Sequence, residues 1–217
     1  MGYGIMIDVE GPYALFTRPE MKVERVSYDI ITPSAARGII EAIYWKPAIK
    51  WVVDKIYVCS KINFCNIRRN EVSSKISTFN VNALMDGRKT EDYFVTAEDR
   101  QQRASTILKD VHYVIEFHFE MTDKAGEEDT PEKHYNIALR RLRKGQCYHM
   151  TCFGCREFPV KFQLTETVPA TAYIGETDLG YMLYDLDFSD PENIQPMFFR
   201  AVMRDGVIDL KNDEFVR

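Results

Sequence analysis

The sequence predicts an α+β protein made of a ferredoxin-like, RRM-like domain followed by a small antiparallel β-sheet domain. Two observations predict this architecture. Strand and helix signals alternate along the first part of the chain in the order strand, helix, strand, hairpin, strand, helix, strand. Beyond the second helix signal the chain shows strand signals only. We therefore place a ferredoxin-like domain in residues 1–156 and a β-rich domain in residues 157–217.

Both predicted helices begin with the same local signal. The Thr-Pro pairs at 32–33 and 130–131 each place a capping hydroxyl before a proline at the first helical position. Apolar residues then recur at helical spacing until Pro47 stops the first helix and Gly145 caps the second. The predicted helices span residues 33–45 and 131–144.

Strands are predicted where β-branched and aromatic residues cluster between turn signals. The clearest is 111–120, in which apolar and polar residues alternate, so that one face is continuously apolar. The polar stretch 66–105 predicts an exposed hairpin insertion or a long loop. The remaining predicted strands are 3–9, ending at a Glu10-Gly11-Pro12 turn, then 49–58, 147–153, 157–164, 180–188 and a hairpin over 197–210.

Composition and charge are those of an ordinary globular protein. The 217 residues are 45% hydrophobic and 28% charged, with a net charge of -5, which excludes a disordered chain. No apolar run reaches the roughly 18 residues of a membrane helix, and no basic signal-peptide start is present, so we expect a cytoplasmic protein without a membrane partner. The five cysteines of such a chain are expected to be reduced thiols.

Lys133 and His134, in the first turn of the second helix, are the first candidates for chemistry. The free N–H groups of a helix start disfavour protonation of His134, and a neutral imidazole can act as a general base. Lys133 remains a cation and could stabilise negative charge on a phosphate. The pattern alone also allows the simpler interpretation that both are solvated residues of the first turn.

Aromatic and basic residues supply further candidates, although an acidic pI of about 5.5 argues on average against nucleic acid. Tyr44 and Trp45 end the first helix, where a phenol could donate to a substrate oxygen and an indole could stack on a base. They could equally cap the core. The second helix carries a basic run that could follow a phosphate backbone or simply face solvent. The run consists of Arg140, Arg141, Arg143 and Lys144.

A cysteine-rich stretch, 147–155, raises the question of a zinc site. Structural zinc sites usually draw two ligand pairs from separate segments, whereas all the candidates here lie within nine residues. Buried thiols explain the stretch better than zinc or a redox role, so we expect no metal and no cofactor. The motifs GxxxxGK[ST], GxGxxG, HExxH and GxSxG are absent, which argues against nucleotide-driven and standard hydrolase mechanisms.

Several stretches resemble the Dvulg-subtype Cas-five proteins of type I-C CRISPR systems, members of the RAMP superfamily. The resemblance covers nearly the whole chain. Its motifs are YALFTRPEMKVERVSY at 13–28, TPSAARGI at 32–39, IYWKP at 43–47, NIRRNE at 66–71, LKDVHY at 108–113, RKGQC at 143–147 and GCREF at 154–158.

The resemblance implies an endoribonuclease that needs no metal. Such an enzyme cleaves the repeat hairpin of precursor CRISPR RNA by attack of a 2′-hydroxyl, leaving a 2′,3′-cyclic phosphate and a 5′-hydroxyl. It then stays on the 5′ handle as a subunit of the interference complex. The family's catalytic set corresponds to His134 as the base, Lys133 as the electrostatic stabiliser and Tyr44 as the orienting donor or acid. A non-catalytic RNA-binding scaffold is the alternative.

The resemblance also implies partners and contacts. The expected partners are the precursor CRISPR RNA repeat hairpin and the other subunits of the type I-C interference complex, with double-stranded DNA as a further candidate. RNA binding and catalysis are expected in the ferredoxin-like domain. The candidate RNA-binding residues are Trp45, Arg68, Arg69, Arg140, Arg141, Arg143 and Lys144.

Overall fold

The order of strands and helices follows the α+β prediction. The computed structural model describes residues 4–21, 23–93, 95–190 and 192–211. The elements in chain order are β1 (Ile5–Ala14), β2 (Arg25–Val26), α1 (Pro33–Ile43), β3 (Ile49–Val58), β4 (Phe64–Val72), α2 (Thr78–Met85), β5 (Arg100–Met121), α3 (Pro131–Arg143), β6 (Lys161–Leu164), β7 (Glu176–Asp187), β8 (Gln195–Arg204) and β9 (Val207–Asp209).

The sheet is mainly antiparallel and is organised around β5. Its strand order is β6-β1-β5-β3-β9-β8-β7, with β2 and β4 also pairing with β5. Residues 108–121 of β5 pair with β1 and β3, whereas residues 100–108 pair with β4. Because β9 pairs with β3, the C-terminal strands extend the same sheet. The division into two domains after residue 156 stays a prediction.

The core lies where α1 and α3 cover one face of the sheet. The side chains of Ile40 and Ile43 on α1 and of Ala138 on α3 are buried in the same cluster as Trp51 and Phe117. The apolar residues that alternate along 111–120 are buried, as the sequence predicts. Among the described residues, none of the helices has the length and apolar character that crossing a bilayer requires.

The two helix starts are confirmed. Thr32 Oγ1 accepts a hydrogen bond from the Ala35 N–H at 3.2 Å, and Thr130 Oγ1 accepts one from the Lys133 N–H at 3.3 Å. The first helix ends slightly earlier than predicted, because Tyr44 has an extended backbone with φ -153°. This change of direction at the end of α1 turns Tyr44 toward the start of α3.

The predicted strand 147–153 is wrong. Within it the structure has one isolated bridge, between Cys152 and Pro159. The backbone N–H groups of Tyr148 and His149 instead donate to the Ala42 carbonyl, at 2.8 and 3.1 Å. The segment therefore lies against the end of α1 rather than in the sheet.

The predicted turn at residues 10–12 is also wrong, since β1 continues to Ala14. Pro12 lacks an N–H for the ladder, and the pairing of β1 with β5 passes over it between Gly11 and Tyr13. On β5, the residue opposite Pro12 is Asp110, which has a positive φ of 54°. The register of the two strands is the same on both sides of Pro12, so β1 passes a turn-like sequence without a break.

Residues 66–105 form an antiparallel hairpin of β4 with the first half of β5, joined through α2. The sequence does not predict α2, because apolar side chains on this helix face solvent. Phe79 is 69% exposed and Met85 is 80% exposed. The first part of β5 forms the second arm of the predicted hairpin, although it is polar and lacks the alternation that marks residues 111–120.

Candidate active site

Tyr44, the residue after α1, is held firmly by its own backbone. Its N–H donates to the Ile40 carbonyl at 2.9 Å, and its carbonyl accepts a hydrogen bond from Trp51 Nε1 at 2.7 Å. The Arg141 guanidinium lies over the Tyr44 ring, 5.3 Å from the ring centre, and donates to the Ile43 carbonyl at 2.6 Å. The phenol is therefore fixed between α1, β3 and α3.

His134 meets Tyr44 across the two helices. Tyr44 Oη lies 2.7 Å from His134 Nδ1, although the two residues are 90 positions apart in the sequence. The imidazole is only 1% exposed, and the Phe119 ring approaches it at 6.4 Å between ring centres. The structure thus brings together two of the three catalytic candidates and seals the imidazole from bulk water.

Asp129 completes the cluster, and the sequence did not identify it. Its Oδ1 lies 3.2 Å from His134 Nε2 and 3.6 Å from Lys133 Nζ. The first distance is that of an ion pair, but the orientation does not meet the angular requirement of a hydrogen bond, so Nε2 is buried and has no hydrogen-bond partner among the residues that the structure describes. The ammonium of Lys133 also donates to the Glu128 carbonyl at 3.0 Å. Lys133 is exposed, and Asp129, which it contacts, connects its ammonium to the imidazole of His134.

The environment sets the protonation of Tyr44 and Asp129. Burial raises the pKa of the Tyr44 phenol, and the Arg141 guanidinium opposes part of this shift. Tyr44 therefore presents a hydroxyl at neutral pH. A hydrogen bond from the Gly126 N–H lowers the pKa of Asp129, and the nearby charge of Lys133 acts in the same direction. Asp129 is therefore a carboxylate at neutral pH.

A cavity of about 730 Å³ opens beside Tyr44. Lys46 and Arg141 give it positive charge, and Trp45, which is 54% exposed, gives it an aromatic surface. These groups can bind a phosphate and stack on a base. His134 is not among the described residues that line the cavity, so Tyr44 is the member of the pair that faces it. The full lining is Gly38, Glu41, Ala42, Tyr44, Trp45, Lys46, Pro47, Arg141, Tyr148 and His149.

The other basic candidates lie in two places. Arg140, Arg143 and Lys144 are exposed around the end of α3. On β4, Arg68 is exposed, whereas the guanidinium of Arg69 pairs with Glu157 and Glu71. Only 16% of the Arg69 side chain is exposed. Arg68 is thus better placed than Arg69 to meet a phosphate, and the RNA contacts of both stay predictions.

The cysteine-rich segment carries free thiols. Cys147 is exposed, and Cys152 and Cys155 are half-buried. Throughout residues 4–21, 23–93, 95–190 and 192–211, no group of three or more His, Cys, Asp or Glu side chains is arranged to hold a metal ion. The role of this segment in the site is to bring Tyr148 and His149 to the cavity wall.

The fold and the site together define a class of protein. An α+β sheet that holds a phenol, an imidazole and a carboxylate beside a cationic, aromatic-walled cavity is suited to act on a phosphodiester backbone. The family model of the CRISPR-associated protein (Cas_Cas5) matches residues 4–211, and the chain belongs to this family. The Cas-five resemblance is thereby confirmed.

Relatives and a solved structure agree with this assignment. The chain is 51% identical over 218 residues to the CRISPR pre-crRNA endoribonuclease Cas5d of Mannheimia succiniciproducens, covering 97% of this chain and 96% of the relative. It is 36% identical over 228 residues to the protein of the same name from Thermus thermophilus, covering 97% and 93%. A crystal structure of a CRISPR-associated protein superposes with a TM-score of 0.69 at 26% identity, covering 96% and 92%. The α+β, RAMP-type fold is confirmed.

Proposed function

We propose that this chain is an endoribonuclease that processes precursor CRISPR RNA and afterwards serves as a subunit of a CRISPR interference complex. The observation that carries the activity is the 51% identity, over 97% of the chain, to a protein named as a pre-crRNA endoribonuclease. The RNA repeat hairpin is the proposed substrate, and the complex subunits and double-stranded DNA are further proposed partners. Processing of this substrate would take place in the cytoplasm.

The proposed reaction uses the RNA's own 2′-hydroxyl. The 2′-oxygen bonds to the adjacent phosphorus, the bond to the 5′-oxygen breaks, and the products are a 2′,3′-cyclic phosphate and a 5′-hydroxyl. The protein must remove the 2′ proton and stabilise the crowded phosphate, while the leaving oxygen takes a proton from solvent or an acidic group. No step in this scheme needs a metal ion.

The three catalytic candidates differ in burial, and this difference supports distinct proposed roles for them. His134 is 1% exposed, so we propose that it acts as the base through Tyr44. As the 2′ proton passes to Tyr44 Oη, the proton of Tyr44 passes to His134 Nδ1, and this 2.7 Å contact is the observation that supports the assignment. Lys133 is exposed and contacts Asp129, and its ammonium would neutralise charge on the phosphate. Arg141 and Lys46 would hold the RNA backbone in the cavity.

The activity is tested with the purified full chain and its repeat RNA in EDTA. We expect cleavage to persist in EDTA, to yield a cyclic phosphate end, and to vanish when the scissile nucleotide carries a 2′-deoxyribose. His134→Ala should reduce the single-turnover rate constant by about 10²–10⁴-fold, the usual contribution of a general base.

The binding measurement separates the enzyme from a scaffold. The Kd of His134→Ala for the hairpin should stay within about two-fold of the wild-type value, because the buried imidazole does not line the cavity. Tight binding by the wild type without cleavage would support the scaffold instead. Cleavage of the 2′-deoxy RNA would contradict the proposed 2′-hydroxyl attack.

A further inference from the structure

We infer that Asp129 is a positioning residue of the endoribonuclease site, whose carboxylate holds His134 in the tautomer with hydrogen on Nε2 so that Nδ1 can accept the proton of Tyr44. The inference rests on the proposed function and names a residue that the sequence motifs do not include. Asp129 would act on the reaction only through the imidazole.

The geometry leaves the imidazole two neighbours at hydrogen-bonding distance. Tyr44 Oη is 2.7 Å from Nδ1, and Asp129 Oδ1 is 3.2 Å from Nε2. A neutral imidazole has one N–H, so the position of that hydrogen decides whether Nδ1 donates to the phenol or accepts from it. Only the acceptor form can take a proton from Tyr44.

The Asp129 carboxylate determines which ring nitrogen of His134 carries the hydrogen, because a carboxylate only accepts hydrogen bonds. Placed beside Nε2, it favours hydrogen on that atom and leaves the Nδ1 lone pair directed at the phenol. A rotation that closes the present angular misfit would give Nε2 a hydrogen bond, which it does not have to any described residue. The same logic explains why catalytic histidines in other enzymes are held by a third, acidic group.

The position of Asp129 is fixed independently of the histidine. Its Oδ2 accepts a hydrogen bond from the Gly126 N–H at 3.1 Å, and its own N–H donates to the Gly126 carbonyl at 3.0 Å. This turn immediately precedes Thr130, the N-cap of α3. The turn's hydrogen bond also lowers the pKa of Asp129, which keeps the group charged at neutral pH.

A purely structural role is the competing explanation. An acidic group before a helix start stabilises the helix dipole, and Asp129 also pairs with Lys133 at 3.6 Å. Neither effect determines the tautomer of His134. A measurement of the ring hydrogen therefore separates positioning from helix stabilisation.

The Asp129→Asn variant makes a sharp test because the Gly126 N–H requires an oxygen at the Oδ2 position. The amide nitrogen must then occupy the Oδ1 position, where it would donate to His134 Nε2. The imidazole would be driven to the opposite tautomer, with hydrogen on Nδ1. In that form it donates to Tyr44 and cannot take its proton.

Nitrogen NMR of the full-length protein labelled with ¹⁵N-histidine reads the tautomer directly. The chain has four histidines, so the signals of His134 can be assigned by their loss in His134→Ala. We expect the Nε2–H form in the wild type and the Nδ1–H form in Asp129→Asn. Glu127→Gln removes one exposed charge from the same turn and should leave the signals unchanged.

Single-turnover cleavage supplies the second readout. Asp129→Asn should lower the rate constant by about 10²–10⁴-fold with the Kd for RNA unchanged, whereas Glu127→Gln should match the wild type. An Nδ1–H form in the wild type would overturn the inference, and this measurement does not depend on whether the variant folds. An undiminished rate in Asp129→Asn would also overturn it. Absence of cleavage by the wild type would refute the proposed function alone, and the ring signals would still decide the role of Asp129.

Discussion

At the scale of single residues, burial decides which member of the Tyr44–His134 pair can meet RNA. Both side chains are buried, at 3% and 1% exposure, but Tyr44 lies on the cavity wall. Because burial raises the pKa of the phenol, Tyr44 would meet RNA as a hydroxyl at neutral pH in the proposed reaction. A hydroxyl can receive one proton while it releases another. Tyr44 and His134 are therefore expected to act together as one proton relay.

A double-mutant cycle tests this relay. Tyr44→Phe removes Oη and keeps the ring under Arg141. We expect Tyr44→Phe and His134→Ala each to lower the single-turnover rate constant by about 10²–10⁴-fold. Because residues that act as one unit are not additive, the double variant should be no slower than the slower single variant. If the double variant instead loses the product of the two single-variant factors in its rate constant, the imidazole acts on RNA without the phenol.

The sequence predicted part of this site for identifiable reasons. Lys133 and His134 could be placed because a Thr-Pro pair sets the start of α3. Asp129 was overlooked because it lies in an acidic turn with no motif of its own, and only the fold brings its carboxylate to Nε2. Tyr148 and His149 were overlooked because their segment was predicted as a strand, whereas hydrogen bonds to Ala42 place them on the cavity wall.

At the scale of elements, α3 separates a buried face from an exposed cationic end. His134, Ala138 and Leu142 are buried at i, i+4 spacing, whereas Arg140 and Arg143 are exposed. Cations in the last turn also favour the helix dipole by about 0.3–1 kcal/mol each. The basic end of α3 can therefore serve helix stability as well as RNA binding, and the salt dependence of binding distinguishes the two.

The triple variant Arg140→Ala, Arg143→Ala and Lys144→Ala should weaken RNA binding most at low salt, and the loss should shrink as the salt concentration rises. The slope of log K against log salt should fall by roughly 2–3, because each lost phosphate contact removes about 0.7 in a single strand and about 0.9 in a duplex. The matched control replaces three cations of the C-terminal part of the chain with alanine: Arg200, Arg204 and Lys211. Equal slopes for both triple variants would mean that RNA responds to net charge rather than to α3.

The helices and strands that could be predicted are those whose local sequence pattern matches the way in which they pack in the fold. The start of α1 and the first residue of α3 follow from capping, and β3 follows from a compact run of β-branched and aromatic residues. By contrast, α2 turns Phe79 and Met85 to solvent, so its pattern carries no amphipathic signal. Residues 100–108 are mostly polar and form a strand by pairing with β4.

At the scale of the whole molecule, the C-terminal strands contact α1, the helix that immediately precedes Tyr44. Arg37 on α1 contacts Asp185 on β7 through two guanidinium nitrogens, and one of these hydrogen bonds is 3.0 Å long. The two side chains are 24% and 15% exposed, so the pair is mostly shielded from water. A partly buried pair of this kind depends strongly on both partners. Residues far along the chain thereby help to hold the site.

Replacing Asp185 tests this connection. Asp185→Ala leaves a shielded guanidinium short of an acceptor, and we expect a loss of about 1–3 kcal/mol in the free energy of unfolding. Glu176→Ala is the matched control on the same strand, because the Glu176–Arg204 pair is 61% and 71% exposed and should contribute under about 1 kcal/mol. Urea unfolding, followed by fluorescence and by circular dichroism, measures both.

The shape of the same unfolding curves tests the predicted division of the chain into two domains after residue 156. Because β9 pairs with β3 and Ile208 is 1% exposed in the common core, the C-terminal strands should unfold together with α1. The two probes should then report one transition in the wild type and one, at lower urea, in Asp185→Ala. Two separated transitions in the variant would show that residues 157–217 unfold independently and that Arg37–Asp185 is a contact between units. In that case Asp185→Ala should leave the environment of Tyr44 intact, and its cleavage rate constant should equal that of the wild type.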